Sequence, residues 1–241
     1  MLRFLPVLAL CLLLPSAAAA QSVSIDLGEG GSVSATSIQL ILLITLLSIA
    51  PGIAIMVTCF PFMVTVLAIL RQAVGLQQSP PNMLIVSLAL FLTYFVMEPV
   101  FTEAWENGVQ PLLEEQIEVE EAALLTLEPF RTFMSGRVDP DTFRAMADLR
   151  PDAVNTVLSP EAPLSVLVPS FMLSEIARAF QVGFLIFLPF LIIDLVVAAV
   201  LMSMGMMMVP PAIVSLPFKL AFFVIADGWA LLAGSLVRGY F

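Results

Sequence analysis

The feature that most constrains this chain is a pair of long apolar runs near its C-terminus, joined by one short turn. The first, Ala179 to Met202, carries a single Gln and a single Asp; the second, Ala212 to Val237, carries Lys219 and Asp227. As a helix the first would be about 36 Å long, enough to cross a hydrocarbon core of about 30 Å. The turn between them reads Met202-Ser203-Met204-Gly205-Met206-Met207-Met208-Val209-Pro210-Pro211. Turns usually recruit Gly, Asn, Asp and Ser, so five methionines in one turn call for a reason of their own.

The rest of the composition agrees with a membrane chain. Hydrophobic residues make up 60% of it and charged residues 12%, and the mean hydropathy is +1.05, values of multi-pass membrane proteins rather than soluble domains. Histidine is absent, which removes Ser-His-Asp and Cys-His catalysis and every His-ligated metal site. Arg3, the apolar stretch Phe4 to Leu14 and the small residues Ala18-Ala19-Ala20 read as a signal peptide over residues 1–20, cleaved between Ala20 and Gln21. Eleven apolar residues are too few to span. Cleavage removes Cys11 and leaves Cys59 as a lone thiol, so no internal disulfide is expected.

Residues 21–37 are Ser- and Gly-rich and read as a flexible start. Residues 38–101 read as a first transmembrane hairpin. Its first part, Ile38 to about Ile69, exceeds one span and is either a long kinked helix or two helices meeting at Pro51-Gly52. After the turn Gln77 to Asn82, Ser79 is placed to cap a helix over Met83 to Phe101. Residues 102–168 differ: thirteen of the nineteen acids lie there against four arginines, a net charge of −9. Leu112-Leu113, Ile117, Leu124-Leu125 and Leu127 recur at helical spacing. Asp139-Pro140-Asp141 reads as a helix start with Phe143, Met146 and Leu149 on one face. So small a segment buries little core by itself, and its apolar stripes are expected to pack against neighbours in an oligomer. Residues 169–241 form the second hairpin. With the leader cleaved, the acidic segment lies outside the cytoplasm, while Arg71 and the Met turn face inward. The fold class is all-α: a multi-pass membrane protein of kinked helical hairpins with an acidic helical extracytoplasmic segment.

Within the apolar runs the charged residues are the candidates for function. A charged Asp at a helix centre costs about 2.5–3.5 kcal/mol to insert and needs a partner or an aqueous neighbour. A hairpin turning near Met207 sets Asp194 opposite Leu220 to Phe222, within a turn of Lys219, so Asp194 and Lys219 are expected to pair. The other possibility is a proton-relay carboxylate, but no ordered chain of titratable groups accompanies it. Glu175 and Arg178 are three apart and can share a helix face, as an interfacial ion pair or as a contact between subunits. The methionines suit a deformable apolar seal better than a regular helix, since Gly205 and Pro210-Pro211 limit the helix there. Phe180, Gly183, Phe184, Phe187 and Phe190 fall at helical spacing and are expected to pack helix on helix. Gly228, Ala230 and Gly234 offer a small-residue surface.

Several blocks together carry a family resemblance over most of the chain. They are Pro169-Ser170-Phe171-Met172-Leu173-Ser174-Glu175-Ile176, Arg178 to Phe184, Pro189 to Val196, the Met turn, Ser215 to Leu220 and Asp227-Gly228-Trp229. Upstream, Leu70-Arg71-Gln72-Ala73 and Gln77 to Asn82 add to them. In these blocks the chain resembles the FliP family of membrane proteins of the flagellar type III export apparatus. The resemblance implies a non-enzymatic, channel-forming core subunit in the bacterial inner membrane, at the flagellar basal body, that passes unfolded export substrates. It also implies a homo-oligomer of about five copies, joined by FliQ-like and FliR-like membrane subunits, other export-apparatus and basal-body proteins, and membrane lipid. Met204, Met206, Met207 and Met208 would be the channel gasket, and Glu175 with Arg178 a subunit contact. Neither a cofactor, a metal nor nucleic acid is expected. Many members place a Thr-Arg pair where this chain has Pro61-Phe62, so no role of that arginine carries over.

Three other functions compete. The injectisome export gate belongs to the same class, and the leader and Val209-Pro210-Pro211 favour the flagellar branch. An aspartyl membrane protease needs two carboxylates about 3 Å apart, whereas a simple hairpin sets Asp227 near the level of residue 188, far from Asp194. An ion- or proton-coupled transporter is expected to carry inverted repeats, and none is visible in the sequence.

Overall fold

The structure is a computed structural model and describes residues 33–76, 80–206 and 208–240. The described residues are helical, with no β-strand. The chain divides into two units, residues 1–48 and 49–241. The expected signal cleavage site at Ala20 and Gln21 lies outside the described residues, as do Gln77, Gln78, Ser79 and Met207.

Helix α1 runs Val33–Met56 and α2 runs Phe60–Val74. The first hydrophobic region is therefore two helices, but they do not meet at Pro51-Gly52. Pro51 lies inside α1, and the break falls at residues 57–59. The reason is local. Pro61 sits in the first turn of α2, where a missing N–H costs nothing, and the Thr58 hydroxyl donates to Ile55 O at 3.3 Å, answering one open carbonyl of α1. From Ile38 to Met56 every side chain of α1 is exposed, as befits a helix whose surroundings are hydrocarbon or another chain.

Helix α3, Asn82–Ala104, starts after both prolines of the 80–81 pair, with Pro81 at the cap position and no side-chain cap. It continues through a π-turn, Trp105–Val109, into the short α4, Gln110–Leu113. Helix α5 (Val119–Arg137) and α6 (Pro140–Asp148) carry the acidic segment. Asp139 caps α6, its carboxylate accepting from Thr142 N and Thr142 Oγ1, both at 2.9 Å. These bonds hold its carboxyl below the usual carboxylate range.

Helix α7 is 40 residues long, Leu164–Ser203, and crosses the expected boundary at residue 169. Its length is about 60 Å, twice the hydrocarbon thickness. The surplus explains where the acidic segment packs. Met134, Val138, Phe143, Ala147, Val166 and Phe171 bury one another in a core made by α5, α6 and the first turns of α7. The Phe143 and Met146 stripe is thus covered within the chain, whereas Leu113, Leu124 and Leu127 of the earlier stripe stay exposed. Phe143 and Ala147 face that core and Met146 packs at its edge, while Leu149 points to the surface.

A second core lies where α2 packs along α7 and α3. Gly183 allows the approach, since a Cβ there would lie 2.4 Å from Ile69 Cδ1. Phe190 is buried with it, whereas Phe180 and Phe184 are exposed; the aromatic row is split between two faces. The last run is two helices, α8 (Pro211–Ile225) and α9 (Gly228–Arg238), bent by 62° at Ala226-Asp227. Three described helices are long and apolar enough to cross a membrane, and four if the bent pair is one span. The chain is an all-α membrane protein.

Candidate functional site

Helix α7 carries three polar or sulfur-rich stations along its length, and the first two gather residues from far apart in sequence. The first surrounds Glu175. Its side chain is fully buried, a position carboxylates occupy only when paired. Arg137, from the last turn of α5, reaches Oε1 with Nε and Nη2, each at 3.2 Å. Tyr240 donates its hydroxyl to Oε2. The same guanidinium donates to Gly239 O at 2.8 Å and lies 3.9 Å from the centre of the Tyr240 ring, a cation–π contact. Tyr240 also packs edge-on to Phe62 and stacked with Phe133. Burial first, then the Glu175 charge, pushes the Tyr240 phenol upward and keeps it protonated as a donor.

The sequence sets Glu175 and Arg178 together as an interfacial ion pair or a contact between subunits. The pair is long, 3.9 Å, and Glu175 faces the interior of its own chain. Arg178 alone of the two reaches the surface. Arg137 lies 38 residues away from Glu175, and Tyr240 stands next to the end of the chain, so no local spacing could have pointed to either.

The second station is Asp194. Lys219 of α8 donates to its Oδ2 at 2.6 Å, and Ser215, one turn earlier on the same face, donates to Oδ1 at 2.5 Å. Lys219 also donates to Ala73 O at 3.0 Å, one of the last carbonyls of α2 left without an intrahelical partner. Three helices are joined by one buried ammonium. Asp227 takes no part. It stands in the left-handed region (φ 50°) at the α8–α9 bend, exposed, and among the described residues its carboxylate makes no hydrogen bond or ion pair.

The third station is the Met turn. Helix α7 ends in a Schellman motif: Met206 N donates to Leu201 O at 3.0 Å and Gly205 N to Met202 O at 3.1 Å. Gly205 takes the required positive φ, 76°. Pro210 caps α8 and Pro211 opens it. The chain therefore reverses tightly, and Met204, Met206 and Met208 project from it. Met208 is 98% exposed, and Met204 and Met206 are exposed as well. Met204 also borders an apolar cleft with Val200 and Phe218.

Comparison with known proteins shows the family. The model of the FliP family matches residues 43–236. The chain is 52% identical to the flagellar biosynthetic protein FliP of Caulobacter vibrioides over 95% of its own length and 86% of that protein. It is 49% identical to the FliP of Agrobacterium fabrum over the full length of both, and 45% identical to that of Bacillus subtilis over 85% of this chain and 92% of the relative. The chain belongs to the FliP family.

Proposed function

From that membership we propose that the chain is a channel-forming core subunit of the flagellar type III protein export apparatus, through which unfolded flagellar substrates cross the inner membrane. The observation that carries the reading is the kinship with flagellar biosynthetic proteins over nearly the whole chain. Their flagellar naming also favours this branch over the injectisome. Two features of the molecule fit it. Helix α1 and much of the outer face of α3 and α7 are apolar and exposed, surfaces suited to other membrane subunits or lipid. The Met turn is held rigidly at its base by the Schellman motif and presents soft, unbranched side chains at its tip, suited to closing around substrates of varied shape.

The functional unit in this reading is a homo-oligomer of about five copies, with FliQ-like and FliR-like subunits and other basal-body proteins around it. Met204, Met206, Met207 and Met208 from each copy form the gasket. The Asp194–Lys219 pair holds the two arms of each hairpin in register. Catalysis is not part of the role.

The test is replacement of the resident family member in a flagellated strain by this chain. Hook and filament protein should appear in the medium, and native mass spectrometry of the purified complex should show several copies with smaller membrane subunits attached. A chain that inserts at normal levels, restores no export and purifies as a monomer would overturn the reading.

A further inference from the structure

The bend between α8 and α9 opens a wedge toward α7. Helix α9 packs on α8 and α3, and the space left beside α7 is a cavity of about 500 Å³. Its walls are Val182, Leu185 and Ile186 of α7 facing Phe222 of α8 and Leu231 and Leu232 of α9. Such a volume, apolar apart from a few placed polar groups, has the dimensions of a small-ligand site.

The polar groups lie at one end, where Arg137, Arg178, Ser235 and Gly239 border the cavity. The two arginines differ. Arg137 is committed to Glu175, Gly239 O and the Tyr240 ring. Arg178 is 41% exposed, and its one ion-pair contact is the 3.9 Å approach to Glu175 Oε1, an oxygen Arg137 already holds at 3.2 Å. Asp139 feels the Arg178 charge only weakly, and its Oδ2 accepts from Thr142. Most of the planar donor fork of Arg178 is therefore free, and that fork matches a phosphate.

Position along α7 locates this end. Up to Glu175 the helix is buried against α5 and α6; from Phe180 it shows a long exposed apolar face. Arg178 stands at the crossover from enclosed to exposed apolar helix, the level at which a long basic side chain near the end of a spanning stretch reaches the lipid headgroups. We propose that the wedge binds one anionic phospholipid, an acyl chain lying between α7 and α9 and the phosphate held by Arg178. The proposal depends on the membrane-spanning helices and not on export.

The test is native mass spectrometry of the full chain, in the complex in which it purifies, after exchange into detergent with either phosphatidylglycerol or phosphatidylcholine. Phosphatidylglycerol should be retained in preference. Arg178→Gln should lower its retention about tenfold, while Arg178→Lys, keeping the charge, should lose less. Leu231→Trp, which fills the wedge without touching the arginine, should lower retention of both lipids. Equal retention of the two lipids, unchanged in Arg178→Gln, would overturn the proposal. So would a photo-crosslinker at residue 231 that, in native membranes, captures another protein chain and no lipid. Because lipid binding is read on the purified complex, failed export with intact lipid retention would count against the channel reading alone.

Discussion

The two ends of α7 were made for opposite tasks. Its first turns are enclosed by α5 and α6, and the one carboxylate there, Glu175, has both oxygens taken by partners of the same chain. Its last turns end in a turn where Met204, Met206 and Met208 are exposed. Between them Asp194 ties α7 to α8 and, through Lys219, to α2. Buried charge fixes the frame, where each polar group has a single satisfying geometry. Apolar surface is left open where other molecules are to dock or pass, because dispersion contacts tolerate many geometries.

The contrast breaks first at Asp194. Asp194→Ala leaves the buried Lys219 ammonium with only Ala73 O and should cost about 3–5 kcal/mol. A thiol-reactive dye can report it: Cys59 is fully buried, so in a Cys11→Ser background labelling follows unfolding. The double change Asp194→Ala with Lys219→Ala should be less damaging than the sum of the single changes. If it is as damaging as the sum, the pair does not hold the frame.

Tyr240→Phe comes next. It keeps the ring between Phe62 and Phe133 but removes the donor to Glu175, and a hydrogen bond to a charged group contributes about 1.5–3 kcal/mol. The same dye assay should show the loss, and Tyr240→Ala, which also removes the ring contacts, should lose more. Equal stability of Tyr240→Phe and the parent would mean that Arg137 alone satisfies Glu175.

Gly183→Ala probes the packing of α2 on α7. The new Cβ would crowd Ile69, and overpacking of this kind typically costs about 1–3 kcal/mol. Trimming the neighbour as well, in Gly183→Ala with Ile69→Ala, should recover part of it in the same dye assay. If the trimmed double variant is less stable than Gly183→Ala, the close approach at Gly183 is not what the alanine disturbs.

These sites also mark what the sequence could and could not disclose. The Asp194–Lys219 approach followed from hairpin arithmetic around a recognisable turn, because two antiparallel helices bring residues equidistant from their turn to one level. Ser215 sits one turn from Lys219 on the same face and could have been found by the same count. The Glu175 cluster could not. Its members come from α5, α7 and the end of the chain, and the long-range packing that unites them has no periodic signature. Neither reading of residues 38–69, a long kinked helix or two helices meeting at Pro51-Gly52, puts the break at residues 57–59, because a proline inside a helix and a proline opening one look alike until the backbone is traced. Leu149 kept the helical spacing of Phe143 and Met146, yet lies one residue past the end of α6, so periodicity placed it on a face it does not share.

The smallest effect on stability, and the sharpest on function, belongs to the Met turn. The Schellman bonds use backbone atoms and the positive φ of Gly205, so Met206, Met207 and Met208 can all become Ala without disturbing the hairpin. Met208 is almost wholly exposed, and the dye assay should show little change. The Asp194 and Glu175 stations are untouched, so the complex should assemble. If the methionines close an apolar constriction, the variant should leak small ions at rest, because such a constriction excludes water only while it is narrow and fails when widened. Ion flux across vesicles carrying the purified complex should rise, while export of flagellar substrates, which must open the same passage, should persist. Met→Leu at the same three positions keeps the bulk and should leave the leak low, which separates bulk from any property of the sulfur. An assembled Ala variant with no added leak would return these side chains to ordinary packing, and the seal would have to be sought elsewhere along α7.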